Sequence, residues 1–441
     1  MKQTRREWLT VTAAAVAVPL FIPRTVFAQG RRPGANERLG VAGIGVGRQG
    51  APVLRNIIRD QRTTAICVCD VWKKRAEDVA KTHNVSTEHV YQDYRKVLER
   101  NDVDAIMVAT PEHWRGPICV NAALLGKHLY IEKPITLTIE DGKRLRTAAR
   151  KTSIKIQCGS MQRSHQVNDL ACRFIREGHL GKINEVHCAN YESPWLYGMS
   201  AEPVPEDLDW DMWCGPVEPT SYHRELFVPR GRPGWLSFRD FSGGEMTGWG
   251  THGFDQVQCA LGKDDTGPVE IFVEGDKLVP PTYNEPAERR VGDAICSNPL
   301  LAFRYAEGPI VKLDLLDVHF QAAIRGGAVF FGEKGKVEIV RSGMTSDPSE
   351  LAEEWLKEHT AHRLPSHETD WVNCIYDGKT PIGELETGIR TAGICHILNI
   401  ARYVGRSLKW NPVNEEFIGD AEANTWLKRK ERKDFETPEV S

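Results

Sequence analysis

The chain has 441 residues, of which 57 are basic and 60 acidic, for a formal net charge of −3, with 41% hydrophobic and 27% charged residues. That length supplies several domains' worth of core and excludes a small disulfide-stapled scaffold, while the near-neutral charge excludes a global field that gathers nucleic acid or an anionic membrane surface. The eleven cysteines include no C-x-x-C pair, so neither a metal site nor a disulfide framework is expected.

Residues 1–28 read as an export signal. Lys2, Arg5 and Arg6 precede an alanine- and valine-rich run ending near Pro23, too short to span a bilayer, and Val26-Phe27-Ala28 places small or β-branched residues before a cut at Gln29. Thr4-Arg5-Arg6-Glu7-Trp8-Leu9 is similar to a twin-arginine signal, the route that exports proteins already folded; an ordinary secretory signal is the alternative. The expected location is periplasmic or secreted, without stable membrane insertion. Residues 29–37, with Gly30, Pro33 and Gly34, read as an N-terminal arm.

From residue 38 to 160, short apolar runs alternate with amphipathic segments. Strands are expected at Leu39-Ile44, Thr64-Asp70, Ala105-Ala109, His128-Glu132 and Ile154-Gly159, with helices at Ala51-Asp60, Trp72-Thr82, Tyr94-Arg100, Pro117-Leu125 and Ile139-Lys151. This is the α/β pattern of a doubly wound parallel sheet. Gly45-Val46-Gly47-Arg48-Gln49-Gly50 is a G-x-G-x-x-G between the first strand and the first helix. There, missing side chains let the backbone approach a pyrophosphate and the helix N-terminus offers free N–H groups. Asp70, twenty residues on, is placed to accept from a ribose hydroxyl pair, so the domain is read as a Rossmann domain for NAD. NADP remains the alternative, because Arg48, Lys73, Lys74 and Arg75 are placed to meet a 2′-phosphate.

Residues 161–441 read as a C-terminal α+β domain. Strands are expected at Lys182-Tyr191, Val269-Val273, Leu301-Tyr305, Ile310-Leu316 and Val329-Val340, the last broken by a hairpin at Gly332-Glu333-Lys334-Gly335. Helices are expected at Val167-Glu177, His252-Leu261, Glu350-Glu358, Glu368-Tyr376 and Glu386-Val404, and the basic run Lys428 to Lys433 reads as a solvated helix end.

The glycine loop, Ala109-Thr110-Pro111-Glu112-His113-Trp114 and Glu132-Lys133-Pro134 occur in order, each at a strand's C-terminal end. Together with Gln157 to Arg163, Gly178 to Ile183, and Gly243-Gly244 running to Asp255, they resemble the glucose-fructose oxidoreductase and inositol dehydrogenase (Gfo/Idh/MocA) family over nearly the whole mature chain. The resemblance implies a large, mixed, mostly antiparallel sheet in the C-terminal domain, and a homodimer or homotetramer packed through its open face. It implies NAD or NADP held by Gly45, Gly47, Arg48, Gln49, Gly50, Asp70, Thr110, Pro111, His113, Trp114, Glu132, Lys133 and Gln162; because free NAD is scarce outside the cytoplasm, tight binding is expected of an exported protein. The substrate is a carbohydrate or polyol, and Arg163, Tyr191, Trp195, His252 and His396 become cleft candidates, with His396 equally readable as core.

Removing a hydride from a secondary alcohol needs one group to take the hydroxyl proton and another to stabilise charge on that oxygen. Lys133 corresponds to the family's catalytic lysine and His252 to its active-site histidine, the candidate base; the isomer of the Lys133–Pro134 bond is left open. The family often places an aspartate four residues before this histidine, where this chain has Gly248, and Asp255 or Glu245 is the expected substitute. Trp195, Trp210, Trp213, Trp235 and Trp249 offer platforms for sugar C–H faces. The reading is an exported sugar or polyol oxidoreductase. An NAD-dependent glycosidase working by oxidation and elimination, and an inactive sugar-binding protein with structural nucleotide, are the alternatives.

Overall fold

The computed structural model of the protein describes residues 37–228, 234–284, 289–315 and 326–440. The export signal and all but the last residue of the arm lie outside these. In the first half, β1 (Leu39–Ile44), α1 (Gly50–Ile58), β2 (Thr63–Cys69), α2 (Lys73–Thr82), β3 (Val90–Tyr91), β4 (Ala105–Val108), α3 (Arg115–Leu124), β5 (His128–Ile131), α4 (Ile139–Arg150) and β6 (Ile156–Cys158) follow in chain order. The six strands are all parallel, in the order β3-β2-β1-β4-β5-β6. Helices cover both faces, so β1 is buried along its whole length. Val41, Val68, Met107 and Tyr130 face one core while Ala42, Cys67, Ile106 and Leu129 face the other. That period-2 alternation explains why these strands are apolar throughout rather than half polar.

The second half contributes α5 (Gln166–Arg176), β7 (Ile183–Ala189), α6 (Gly250–Leu261), β8 (Glu270–Glu274), β9 (Leu300–Arg304), β10 (Ile310–Leu315), β11 (Ala328–Gly332), β12 (Gly335–Val340), β13 (Gly343–Asp347), α7 (Leu385–Val404), β14 (Leu408–Asn411) and β15 (Glu416–Phe417). Among the described residues these strands form a nine-stranded sheet in the order β13-β12-β11-β7-β10-β9-β8-β14-β15. Only β7 and β10 pair in parallel. One face packs Val186, Cys188, Phe303, Leu313 and Phe330 against Phe174, Phe254 and Leu398 of α5, α6 and α7. The alternate residues form an ionic outer face, in which Lys312 reaches Glu185 at 2.6 Å and His187 reaches Asp314 at 2.8 Å. The hairpin turn falls at Glu333-Lys334, with Gly332 paired to Gly335. Among the described residues no helix is long and apolar enough to cross a membrane.

Two late segments return to the first sheet. Trp371, on a helix at His367–Asp377, packs in the core beneath Tyr130, and His367 Nε2 lies 2.7 Å from the Cys158 carbonyl. The basic run after Lys428 forms no helix, contrary to the expectation. Phe435 packs edge-on to Trp114 at 5.7 Å, with the Arg432 guanidinium 4.2 Å from its ring centre, because an aromatic there covers apolar surface that a solvated helix would leave open.

Candidate active site

A cleft of about 430 Å³ runs along the C-terminal edge of the parallel sheet, roofed by residues of the second half. At one end the glycine turn forms its floor. Gly45 has φ 77°, and a Cβ there would stand 2.8 Å from the Thr110 amide nitrogen; a Cβ on Gly50 would stand 1.9 Å from the Gly45 carbonyl oxygen. Both positions therefore require glycine. Asp70 ends the second strand region, where Oδ2 accepts from Val46 N and Oδ1 from Trp72 N, each at 3.0 Å, with Arg75 Nη1 3.6 Å away. Burial pushes its carboxyl above the usual range, opposed by Arg75 and the two amides. Arg75 lies 4.8 Å from the Trp72 ring centre and 5.1 Å from that of Phe227, and lines the cleft together with Arg48. Lys74 instead pairs with Asp78 on the exposed face of α2, and Lys73 does not line the cleft.

Thr110 and Pro111 line the middle. The Thr110 hydroxyl is buried without a hydrogen-bond partner, while Arg115 donates to the Thr110 carbonyl and to that of Pro134. Glu132 accepts from Gln49 Nε2 at 3.0 Å and from Lys133 N at 3.2 Å. A backbone cradle that any Cβ would fill, an orphaned buried hydroxyl and a carboxylate at the second strand's end together fit a dinucleotide.

The other end joins the two halves. Lys133, preceding a cis Pro134, donates from Nζ to the Gly248 carbonyl at 2.7 Å. The position lacking the expected acid thus meets the lysine through its backbone. His252, in the first turn of α6, has Nε2 2.9 Å from Arg341 Nη2, and its ring centre lies 5.7 Å from that of Trp249. Lys133, Trp249, His252 and Arg341 all line the same cleft.

Several expected site residues lie elsewhere. Asp255 turns away from His252: both its oxygens accept from Arg163 Nε, at 2.8 and 3.0 Å, and Thr391 Oγ1 lies 3.3 Å off. A position three residues on shares a helix face with His252, but the buried Arg163 guanidinium draws that carboxylate to itself. Burial pushes Asp255 up to about 6 against the pull of Arg163. Arg163 also pairs with Asp264 at 2.6 Å and does not line the cleft. Glu245 does not line it either.

His113 is held off the cleft by a 2.9 Å contact with the Trp213 carbonyl and by the rings of Phe241 and Trp213; burial pushes its imidazole down to about 4. Gln162 donates to the Gly326 carbonyl, and its neighbour Met161 reaches the cleft in its place. Tyr191 packs on Phe254 in the second core. Trp195 donates to Asp293 and packs edge-on to Tyr283, so it is core rather than a sugar platform. His396 is likewise core, bonded to the Thr136 carbonyl at 3.1 Å. Of the five tryptophans, Trp213, Trp235 and Trp249 line the cleft.

Two residues with no assigned role in the sequence prove central. Arg341 arrives from the turn after β12, with no local motif to mark it. Glu112, inside the third-strand motif, is fully buried, and its carboxylate accepts from Ser242 Oγ at 2.8 Å and Gly243 N at 3.0 Å, with Thr247 Oγ1 3.0 Å away. It ties the cofactor loop to the segment that leads into His252. A second tie runs at the nucleotide end, where Trp72 Nε1 donates to Asp207 Oδ2 at 2.5 Å and Gln92 Nε2 to the Asp207 carbonyl at 3.3 Å.

A parallel sheet in the β3-β2-β1-β4-β5-β6 order, a glycine turn at its edge and an α+β domain closing the cleft define a two-domain, dinucleotide-binding protein of the oxidoreductase class. The comparisons agree: residues 39–160 match the model described as oxidoreductase family, NAD-binding Rossmann fold, and residues 181–437 the oxidoreductase family C-terminal alpha/beta domain. The chain belongs to the GFO_IDH_MocA oxidoreductase family.

Among curated relatives, the scyllo-inositol 2-dehydrogenase (NAD(+)) of Bacillus subtilis (strain 168) is 33% identical over 140 residues, which is 32% of this chain and 40% of the relative. Glycosyl hydrolase family 109 protein 1 of Shewanella sp. (strain MR-4) is 26% identical over 156 residues, 33% of this chain and 34% of the relative. Each match spans less than half of the relative's length. Among solved structures, the aldose-aldose oxidoreductase from Caulobacter crescentus, complexed with glycerol, shares the fold. Its TM-score is 0.55 at 16% identity, over 84% of this chain and 99% of that one.

Proposed function

We propose that the protein is an NAD(P)-dependent oxidoreductase that moves a hydride between nicotinamide and a hydroxyl or carbonyl of a sugar, glycoside or cyclic polyol. The observation that supports this most is the convergence of Lys133 and His252 on the cleft whose other end is the glycine turn. The residues fit to hold the nucleotide are Gly45, Gly47, Gly50, Asp70 and Thr110. When bound, the nicotinamide supplies the hydride acceptor. Arg341 can only donate to His252 Nε2, so that nitrogen bears a lone pair and the ring proton sits on Nδ1. The lone pair is the base for the substrate hydroxyl, and Lys133 Nζ is the donor to the oxygen on which charge develops. The test is the near-ultraviolet band of reduced nicotinamide while sugars, polyols and glycosides are added to protein supplied with NAD or NADP. A band that no compound moves counts against the reading.

NAD is the proposed cofactor, because the Asp70 carboxylate would repel a 2′-phosphate on the ribose it is read to bind; tight holding rests on the export reading, since free nucleotide is scarce outside the cytoplasm. Asp70→Asn is expected to move the ratio of NADP to NAD affinity upward by about tenfold, the size of one such repulsion. An unchanged ratio would remove Asp70 from ribose recognition and leave Arg48 and Arg75 to set the preference.

A second reading, a glycosidase that oxidises, eliminates and returns the hydride, is favoured by the bare Gly248 and by the family 109 relative. Release of aglycone without net reduced nicotinamide selects it. Export through the twin-arginine route, with nucleotide loaded first, rests on Arg5-Arg6. Self-association through the outer face of the nine-stranded sheet rests on the family resemblance.

A further inference from the structure

A second cavity, of about 180 Å³, lies between α5 and α6 and shares no lining residue with the cleft. Cys172 and Arg176 of α5 and Gln256 and Cys259 of α6 are among its walls. Cys172 Sγ lies 3.7 Å from Gln256 Oε1 and 3.8 Å from the Gln256 carbonyl. One turn further along α5, Arg176 Nη1 lies 2.9 Å from the Cys259 carbonyl and 3.7 Å from Cys259 Sγ. Cys172 shares a helix face with Arg176, and Gln256 with Cys259, so the two thiols meet across the helix pair. There they hydrogen-bond to each other.

The two sulfurs are not equivalent. All eleven cysteines lie among the described residues, and Cys259 alone is not buried. The Cys172 S–H and the Arg163 guanidinium hold its thiol below the usual value, against partial burial. Cys172 is pushed well above the usual value by its bond to Cys259 and by full burial. One sulfur is thus reachable and the readier to ionise, while its neighbour waits behind it, which is the arrangement of an attacking thiol and a resolving one. The cleft chemistry uses neither.

We propose that Cys172 and Cys259 form a redox-active dithiol that exchanges with a small organic disulfide and closes to a bond between α5 and α6. The Cys259 thiolate attacks one sulfur of that disulfide, whose S–S bond breaks, and one half leaves as a thiol carrying the Cys259 proton. The Cys172 thiol then attacks the Cys259 sulfur, and the second half leaves with the Cys172 proton. Two protein thiols are oxidised by two electrons, and the external disulfide is reduced to two thiols. The inference is independent of the oxidoreductase reading. The new bond bears on the cleft through α5, where Asn168 Nδ2 donates to the Val340 carbonyl at 2.9 Å and Asn168 Oδ1 accepts from Ser342 N at 2.8 Å. It therefore fastens the turn bearing Arg341 to the helix whose first turn carries His252. On the export reading, a chain that leaves the cytoplasm folded meets an oxidising surrounding only in its native form, where only thiols already apposed can pair.

The experiment treats the reduced, native full chain with hydroxyethyl disulfide and follows intact mass, then maps the peptides without reduction. The wild type is expected to lose two thiols, retain no mercaptoethanol and yield a Cys172–Cys259 cross-linked peptide that a phosphine reductant opens. Its midpoint of thermal unfolding should rise by about 4 °C on oxidation, the effect of closing a long loop in a chain of this size. Cys172→Ser should stop at the first step and keep one mercaptoethanol on Cys259, and Cys259→Ser should neither take up an adduct nor form the bond. A lasting adduct on wild-type Cys259 would overturn the inference, because Cys172 then does not resolve it. No reaction of the wild type, or a cross-link between two other cysteines, would overturn it as well. Each of these results is read on the wild type, so the test stands even where a serine variant fails to fold.

Discussion

Lys133→Met is expected to lower kcat about a thousandfold with nucleotide still bound, the usual worth of a positioned proton donor or acceptor. Its ammonium is held at 2.7 Å by the Gly248 carbonyl, on the shared wall of the two halves, so the side chain is aimed rather than free to sweep. Methionine keeps the stem and removes only the proton-bearing nitrogen. Arginine should not rescue it, because a guanidinium does not release its proton in this range and its fork does not fit the place of a point donor. His252→Asn should fall by a similar factor, and the double variant should be little worse than either single one, since the pair acts on one oxygen. Initial rates with the best compound from the panel, read beside nucleotide affinity, check all three. A loss smaller than about tenfold for Lys133→Met would remove it from the chemistry.

Glu112→Ala is expected to cost about 4 kcal/mol of stability, read as a fall in the denaturant midpoint at unchanged slope. The carboxylate is fully buried, and its removal leaves the Ser242 hydroxyl, the Gly243 amide and the Thr247 hydroxyl facing a cavity. Burial pushes its carboxyl above the usual range, and Arg115 with these donors opposes that push. Glu112→Gln should cost less than about half as much, because an amide oxygen still receives Gly243 N–H and the hydroxyls rotate to accept from its NH₂. The functional effect follows from position. The Ser242–Thr247 segment leads directly to Gly248, the partner of Lys133, and Thr251 in the next turn donates to the Thr247 carbonyl at 2.7 Å. Turnover in Glu112→Ala should therefore fall more in kcat than rise in KM, and Gln should recover most of it. Wild-type stability in Glu112→Ala would show the network to be peripheral.

The parts of the fold legible in the sequence are those whose signal is local. The five expected strands of the six-stranded first sheet and its glycine turn lie within a residue or two of expectation, because continuous apolar runs bounded by Gly, Asp and Pro specify a buried parallel strand without outside help. The short strands at Val90–Tyr91, Gly343–Asp347, Leu408–Asn411 and Glu416–Phe417 were not legible. They lie at sheet edges or, for Leu408–Asn411, next to one, and are completed by pairing with partners such as β2 and β12 rather than by their own periodicity.

The same division runs through the site. The glycines, Asp70, Thr110, Glu132, Lys133 and His252 sit at strand ends or a helix start, and their chemistry could be read from motif and context alone, because local backbone geometry places them on the cleft. What the side chains of Asp255, Arg163, His113, Tyr191 and Trp195 face was decided by tertiary packing. Arg163 and Asp255 found each other, His113 a carbonyl and Trp195 a carboxylate, partners whose absence would have been costly, while Tyr191 packs on Phe254. Arg341 and Glu112 entered the site for the converse reason. Their partners, His252 and the Ser242–Thr247 segment, lie 89 and 130 or more residues away in the chain, and a contact of that range has no periodicity to announce it. The amino-acid sequence by itself determined the Rossmann half, its nucleotide turn and the lysine and histidine; the folded chain decided which charges surround them, because only packing brings distant side chains within reach of one another.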